Sequence, residues 1–194
     1  IVYCFSKRQV TDLARVLQKN GFSALPYHAD LPKSVRHETQ DRFLRDEVRI
    51  IVATVAFGMG INKPDVRFVV HYDLPKNLEH YYQETGRAGR DGDPAECLLL
   101  YSRADFRKIE YLIGQMADGT ERMVSTRKLH EMVGYCESRA CRRAVLLTYF
   151  GESWDHPGCG NCDSCLLGRK TLDGRENLSV IVACMDELRD DYGV

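Results

Sequence analysis

Residues 49–71, RIIVATVAFGMGINKPDVRFVVH, contain two short apolar runs separated by a glycine-containing turn. The runs at 49–53 and 66–71 are rich in β-branched residues, which predicts strands buried on both faces of a sheet. Such strands belong to parallel sheets, whose connections are usually helices. The stretch therefore predicts an α/β fold, which the flanking sequence should extend.

The same alternation of strand and helix patterns continues from residue 1 to about residue 107. Strand-like runs lie at residues 1–5, 25–27, 49–53, 66–71 and 96–101, with helical stripes at Val10, Leu13, Ala14 and Leu17 and at Leu78, Tyr81, Tyr82 and Thr85. This order predicts a parallel sheet with helices on both faces. Because ligands of such sheets gather at the carboxyl ends of the strands, the glycine-rich turns after Ala53 and Thr85 are the expected site.

Beyond residue 107 the pattern changes to helices and cysteines. Ser102 and Asp105 can cap a helix that runs toward Met116, and two further helical stripes follow it. These changes predict three segments, at 1–107, 108–168 and 169–194. A strand pattern at the first residue and an apolar helical stripe near the last predict a fragment of a longer protein.

The composition excludes several classes of protein. Of 194 residues, 44% are hydrophobic, and 27 basic against 28 acidic residues leave a net charge of -1. Disorder and a general basic attraction to nucleic acid are therefore not expected, and any contact with a polyanion must be local. No apolar run of membrane-spanning length and no secretory leader pattern is visible, so an intracellular, cytoplasmic protein without membrane contact is expected.

Four of the eight cysteines have a spacing typical of a metal site. Cys159, Cys162 and Cys165 are separated by two-residue gaps, and Cys141 lies on the preceding predicted helix. Short gaps let neighbouring thiolates converge on one ion, and a distant fourth ligand ties a loop to a helix. Disulfides are the alternative, which the gaps and an intracellular location disfavour. A structural metal is therefore expected.

The metal is predicted to be zinc, because closed four-cysteine sites are a common zinc pattern. C-x2-C-x2-C also begins an iron–sulfur motif, but Cys165 is followed by Leu-Leu-Gly-Arg rather than by a further cysteine and a proline. Cys136 and His156 are weaker ligand candidates. The remaining cysteines lie in apolar runs and are interpreted as buried small hydrophobic residues: Cys4, Cys97 and Cys184.

The stretch at 83–92, QETGRAGRDG, places two arginines three residues apart among glycines. If the helix predicted through Tyr81 continues, Gln83, Arg87 and Arg90 point in one direction. Each glycine in a helix costs about 0.5–1 kcal/mol relative to alanine, so close approach of a ligand or another backbone is expected. Arginine suits a phosphate, because its guanidinium donates two hydrogen bonds and stays charged. A solvated turn with surface arginines is the alternative.

Several stretches together resemble the RecQ family of DNA helicases, most closely its bacterial members. They are YCFSKRQ, YHADL, ATVAFGMGINKPDVRFVVHYDLP, QETGRAGRDG, CRRAVLLTYFG and CGNCDSC. The resemblance implies that residues 1–107 form the second of two RecA-like motor lobes. It also implies a zinc-binding subdomain at 108–168 and the beginning of a winged-helix domain at 169–194.

By this resemblance, the parent protein is an ATP-dependent 3′–5′ DNA helicase of repair and recombination, cytoplasmic and associated with the nucleoid. A first lobe would hold ATP and magnesium with motifs that this chain lacks, so the chain alone should not hydrolyse ATP. Arg90 corresponds to the arginine finger, Arg87 to a second phosphate contact and Gln83 to an orienting group. Gly60 and Asn62 match positions near the nucleotide ribose.

The resemblance also implies a track for single-stranded or partly duplex DNA. Ser6, Lys7 and His28 match positions along it, and Thr54 matches a donor to a DNA phosphate. A hydrogen-bonded histidine at a strand end is the ordinary alternative for His28. Asp30 departs from the family, which usually has glycine there, and its charge would oppose a phosphate.

Two other functions stay open at this point. A zinc-stabilised nucleic-acid or protein-binding module without ATP turnover would lack the phosphate-binding and magnesium motifs upstream of this chain. An iron–sulfur redox protein would be coloured, and it would leave the arginine stretch unexplained.

Overall fold

A computed structural model describes residues 1–58, 61–167 and 178 of the chain. Five strands are present in this part: β1 (Val2–Tyr3), β2 (Ala24–Tyr27), β3 (Ile50–Ala53), β4 (Phe68–His71) and β5 (Glu96–Leu99). They form one parallel sheet with the order β2-β3-β1-β4-β5. The predicted strands and their parallel arrangement are thus confirmed.

Seven helices accompany these strands in the described residues. They are α1 (Lys7–Lys19), α2 (Lys33–Leu44), α3 (Leu78–Thr85), α4 (Arg103–Gly114), α5 (Gly119–Glu137), α6 (Arg142–Tyr149) and α7 (Asp163–Leu166). Side chains cap the first turns of several, since Ser6, Asn77 and Ser102 each accept a hydrogen bond from a backbone N–H of the helix that follows. The sequence analysis did not predict α2.

The hydrophobic core lies on both faces of the sheet. Val2 and Cys4 pack with Val10 of α1 on one face. Ile1 and Tyr3, which alternate with them along the chain, pack with Phe43 of α2 on the other. This alternation follows from the two-residue period of a strand. Helices on both faces, as predicted, therefore cover the central strands.

The edge strand β5 is less covered than its sequence indicates. Cys97 is exposed and the Leu98 side chain is 53% exposed. The interpretation of Cys97 as a buried residue was therefore wrong, whereas Cys4 is buried as expected. An apolar run in the sequence does not show whether a strand lies at the edge or in the centre of the sheet. The burial of its side chains depends on neighbouring elements that are distant in sequence. Cys184 lies outside the described residues.

The helices after β5 divide between two compact units, Ile1–Ser138 and Arg139–Val194. In the first unit α4 packs against α5, and Ile109 and Leu129 are buried. The ring of Tyr135 on α5 lies 5.3 Å from that of Tyr81 on α3. The expected boundary near residue 107 falls inside α4, and the division at 107 and 168 stays a prediction. Apart from Leu178, the residues of the expected winged-helix segment lie outside the described part.

Candidate functional site

The helix that carries Gln83 ends before it reaches Arg87 and Arg90, whereas a shared direction of the three side chains assumed that the helix continued through them. It stops at Thr85, and Gly86 is its C-cap. Gly89 then adopts a φ of +61°, and a Cβ there would lie 2.8 Å from the Asp93 carbonyl oxygen. The continuation of the helix was therefore wrong. Glycine at 89 is explained by a tight local turn rather than by the approach of a ligand.

The segment that carries Arg87 and Arg90 also lies near a different end of the strands from the one expected. The Gly89 N–H donates to the Val66 carbonyl at 3.0 Å, and the Asp91 N–H donates to the Pro64 carbonyl at 3.3 Å. Both acceptors precede β4, so the segment lies beside the amino end of that strand. The expectation that this turn follows the carboxyl ends of the strands was wrong.

Arg87 is held by the loop that follows β3. Its Nη1 donates to the Gly58 carbonyl oxygen at 2.6 Å. Gly58 has a φ of +143°, and a Cβ built there would lie 2.3 Å from the guanidinium carbon. Only glycine leaves room for this contact. We call the contact between Arg87 and Gly58 the arginine seat.

A buried tyrosine hydroxyl lies near the arginine seat. The Tyr3 hydroxyl donates to the Phe57 carbonyl at 3.1 Å. Burial raises the pKa of Tyr3 well above its usual value, and the nearby Arg87 guanidinium opposes that rise. Arg87 Nε is buried and has no hydrogen-bond partner among the described residues. The seat thus holds Arg87 while leaving part of its donor capacity unused.

Arg90 reaches into solvent beside Arg87. Its Nε donates to the Gly86 carbonyl at 3.1 Å, and the residue is exposed. Within the described part of the chain, neither Arg87 nor Arg90 forms an ion pair, whereas the neighbouring Asp91 pairs with Arg67. Two positive charges are therefore available to an anion.

Both arginines line an open cleft of about 830 Å³. The other lining residues are Gly58, Ile61, Asn62, Tyr82, Gln83, Thr85 and Gly86. The structure thus brings together four predicted residues, Gln83, Arg87, Arg90 and Asn62, on one surface. The fifth, Gly60, lies outside the described residues. A cleft of this size with two unpaired guanidinium groups can accept phosphate oxygens.

The residues of the predicted DNA track lie at the carboxyl edge of the sheet. Ser6, His28 and Thr54 follow β1, β2 and β3 within a few residues, and the Thr54 N–H donates to the Tyr27 carbonyl at 3.2 Å. Ser6 accepts from the Gln9 N–H at 3.2 Å as the N-cap of α1. A helix N-terminus favours phosphate because its N–H groups and dipole attract negative charge.

Two members of this track already have partners in the protein. Lys7 Nζ donates to Asp30 Oδ1 at 2.6 Å. His28 is buried, with Nε2 3.2 Å from the Thr11 hydroxyl and a buried Nδ1 that has no partner among the described residues. A DNA contact by His28 therefore requires its surroundings to open, and the role of the track stays a prediction.

Sequence reasoning missed basic groups near Thr54. A second cavity, of about 230 Å³, is lined by Thr54, Phe5 and Lys76 among others. The ammonium groups of Lys76 and Lys108 lie 5.7 and 4.7 Å from the Phe5 ring centroid. These lysines come from the segment after β4 and from α4, so no local pattern in the sequence could have shown their convergence.

The four predicted metal ligands converge in the second unit. The Sγ atoms of Cys141, Cys159, Cys162 and Cys165 all lie within 4.8 Å of one another, and those of Cys159 and Cys165 are 4.0 Å apart. Tetrahedral zinc with bonds of 2.3 Å separates its sulfur ligands by about 3.8 Å. The set therefore fits a structural zinc ion, and all four cysteines are free rather than joined in disulfides.

The local electrostatics favour thiolates at Cys141 and Cys162 but not at Cys165. The backbone N–H of Gly160 acts to lower the pKa of Cys165, but hydrogen bonds with Cys162 and Cys141 outweigh it and raise that pKa to about 11. Burial opposes ionisation of Cys141, but hydrogen bonds from the Ala144 N–H and from Cys159 outweigh it and lower the pKa of Cys141 to about 6. Burial likewise opposes ionisation of Cys162, whose pKa falls because the Arg142 and Cys165 N–H groups donate to its sulfur. The Arg142 guanidinium also pairs with Asp163, at 2.8 and 2.9 Å.

The weaker ligand candidates lie outside the four-cysteine set. Cys136 is not one of the sulfurs that converge. The His156 ring packs 5.0 Å from the Trp154 ring instead of joining the cysteines. The structure therefore groups Cys141, and not Cys136, with the other three cysteines, and their role as metal ligands stays a prediction.

Comparison with known proteins gives close relatives. ATP-dependent DNA helicase RecQ of Pasteurella multocida is 45% identical over all 194 residues, and RecQ-like DNA helicase BLM of Xenopus laevis is 46% identical over 186 residues, 91% of the chain. The chain spans 30% and 14% of these proteins. Among solved structures, a DEAD box protein from Methanococcus jannaschii matches 59% of this chain and 32% of its own, with 34% identity and a TM-score of 0.50.

Two family models cover most of the described residues. Helicase conserved C-terminal domain matches residues 1–92, the part that contains strands β1 to β4 and the arginine cleft. Fold and cleft thus define a RecA-like helicase lobe. RecQ zinc-binding matches residues 103–166, which include the four cysteines. With these domains in this order and relatives of that name along its whole length, the chain belongs to the RecQ family of helicases. No helix in the described residues is long and apolar enough to cross a bilayer.

Proposed function

We propose that the chain is part of an ATP-dependent DNA helicase, to which it contributes the arginine-bearing lobe and a structural zinc site. The observation that carries this proposal is the open cleft lined by Arg87 and Arg90, neither of which pairs with a carboxylate in the described part of the chain. A second lobe with a phosphate-binding loop and a magnesium motif would face this cleft. The proposal concerns the whole protein, of which this chain represents a part.

In this mechanism the protein hydrolyses ATP between the two lobes. Arg90, exposed at the mouth of the cleft, reaches the γ-phosphate and stabilises the negative charge of the transition state. Arg87, fixed by Gly58, holds a second phosphate oxygen. Gln83 and Asn62 line the same cleft and orient the nucleotide and its ribose. Positioning and charge provide the catalysis, because phosphoryl transfer requires little covalent help from the protein.

Opening and closing of the nucleotide cleft would move the two lobes along a DNA strand. Ser6, Lys7 and Thr54 contact backbone phosphates at the carboxyl edge of the sheet, and such contacts carry no sequence preference. Translocation from 3′ to 5′ and a role in DNA repair and recombination complete the proposal. Both rest on the family to which the chain belongs.

The zinc centre has a structural role in this proposal. Three of the four cysteines lie in the segment 159–165, and the fourth, Cys141, directly precedes α6, so a shared metal ion would tie this segment to the helix. When bound, zinc supplies folding free energy to a segment whose helix α6 has no buried residue. The zinc unit thereby keeps its fold during the movements of the motor.

The test is ATP hydrolysis by the full-length protein that carries this chain. Arg90→Ala should lower DNA-stimulated turnover by about 10³-fold or more while ATP and DNA binding persist. Arg15→Ala is the matched control, because Arg15 is exposed on α1 and pairs only with Asp12 among the described residues. Turnover within a few fold of wild type in the Arg90 variant would show that Arg90 is not the arginine finger. No DNA-stimulated turnover by the unchanged full-length protein would favour the alternative, a zinc-stabilised binding module without ATP turnover.

A further inference from the structure

The pair formed by Lys7 and Asp30 lies at the beginning of α1. Lys7 directly follows the N-cap Ser6, and α1 has no acidic residue of its own in its first turn. Asp30 comes from the loop after β2, and its carboxylate is 2.6 Å from the Lys7 ammonium. A negative group from another part of the chain thus neutralises the lysine beside the helix N-terminus.

The loop that carries Asp30 is fixed against α1. Leu31 donates from its N–H to the His28 carbonyl at 3.1 Å, which closes a turn around Asp30. The buried ring of His28 lies 3.2 Å from the Thr11 hydroxyl, and that hydroxyl donates to the Lys7 carbonyl at 3.3 Å. Asp30 therefore approaches Lys7 from a defined position.

The pair is nevertheless open to exchange. The side chains of Lys7 and Asp30 are 51% and 65% exposed. The hydrogen bond from Lys7 lowers the pKa of Asp30, as expected of a carboxylate that stays ionised beside the ammonium. An incoming phosphate can take the place of this carboxylate, because exposed ion pairs contribute little free energy.

We propose that Asp30 is an internal competitor for the DNA phosphate that Lys7 binds, and that it weakens this contact so that the strand is released more readily. The inference rests on the proposed function, since it requires Lys7 to lie on the DNA track. Each phosphate that reaches Lys7 displaces Asp30 and leaves an unpaired carboxylate beside the DNA. The lysine therefore contributes less to affinity than a free lysine would.

The same reasoning predicts the dependence of binding on salt. A lysine that neutralises a phosphate on single-stranded DNA releases condensed cations and steepens the slope of log K against log salt by about 0.7. When a phosphate displaces Asp30 from Lys7, the free carboxylate binds a cation from solution, so fewer cations are released in total and the slope is less steep. Removal of the carboxylate should restore the full contribution of Lys7 to this slope.

The experiment measures binding of a fluorescent oligothymidylate to the full-length protein at several salt concentrations without nucleotide. Asp30→Asn should tighten binding about two- to fivefold at low salt and steepen the slope. The effect should disappear when Lys7→Ala is present. Asp12→Asn is the control. It also removes one exposed carboxylate, but Asp12 lies on α1 and pairs with Arg8 and Arg15 instead of Lys7.

The outcomes separate this inference from the proposed function. If Lys7→Ala weakens binding but Asp30→Asn leaves it unchanged, the inference is wrong and the DNA track stands. If Asp30→Asn tightens binding equally with and without Lys7, the carboxylate acts through general repulsion, and the inference is again wrong. If Lys7→Ala has no effect on binding, the DNA contact itself is wrong and the inference fails with it.

Discussion

The arginine seat leads to a prediction about Gly58→Ala. The new methyl group would lie 2.3 Å from the guanidinium carbon of Arg87. The guanidinium must withdraw by about 1 Å to reach an ordinary contact distance, and its hydrogen bond to the Gly58 carbonyl is lost or bent. A φ of +143° adds backbone strain of about 1–3 kcal/mol for any residue with a Cβ.

Two measurements follow from this displacement. In ATP hydrolysis by the full-length protein, misplacement of Arg87 by 1 Å should cost about 10²-fold in turnover, with a smaller change in ATP affinity. In urea unfolding of the same protein, Gly58→Ala should lower the free energy of unfolding. Part of that loss comes from the clash with Arg87 and the rest from the backbone.

A double-mutant cycle separates the two parts. In an Arg87→Ala background the side chain that clashes is gone, so Gly58→Ala should cost less, by about 0.5–3 kcal/mol, than it does in the wild type. The strain at φ +143° is common to both backgrounds and cancels. Equal costs in the two backgrounds would show that Arg87 does not occupy the seat, and the reasoning would be refuted.

Two further predictions concern the metal and acid stability. The purified protein should contain one zinc ion per chain and no visible absorption band; Cys159→Ser should lower the zinc content, and Cys136→Ser, outside the set, should not. Visible charge-transfer bands would instead indicate iron. The hydrogen bond from Lys63 lowers the pKa of Asp65 in the folded protein. The ionised Asp65 therefore stabilises the fold fully at pH values above the ordinary carboxyl pKa, and this stabilisation is lost as the pH falls through the lowered pKa. In the Asp65→Asn variant, the urea concentration at the midpoint of unfolding should therefore decrease less between about pH 4 and pH 2 than it does in the wild type. An equal decrease in the two proteins would contradict this prediction.

The strands could be predicted because each is a short apolar run, and the order of strands and helices then required a parallel sheet. Helix α2 could not, since its buried residues are only Thr39 and Phe43 and its first half is largely polar. Periodicity reveals a helix only when an apolar stripe is present, and α2 covers its face of the sheet with few side chains.

The candidate site was predictable in its residues but not in its contacts. The cysteine pattern identified the four cysteines that converge, because two-residue spacing restricts where neighbouring thiolates can lie. The arginine seat joins residues 29 positions apart, and the pair of Lys7 and Asp30 joins residues 23 positions apart. Such contacts depend on how the loops fold, and neither segment has a local pattern that specifies the other.

The acceptor that fixes Arg87 belongs to the main chain, so no change of side chain at position 58 can delete it. A glycine codon cannot mutate to a smaller residue, and every missense change there introduces at least one extra carbon. Inherited variation at position 58 can therefore damage this contact only by crowding it. For this reason, variants at position 58 in a population should impair the protein whatever their polarity.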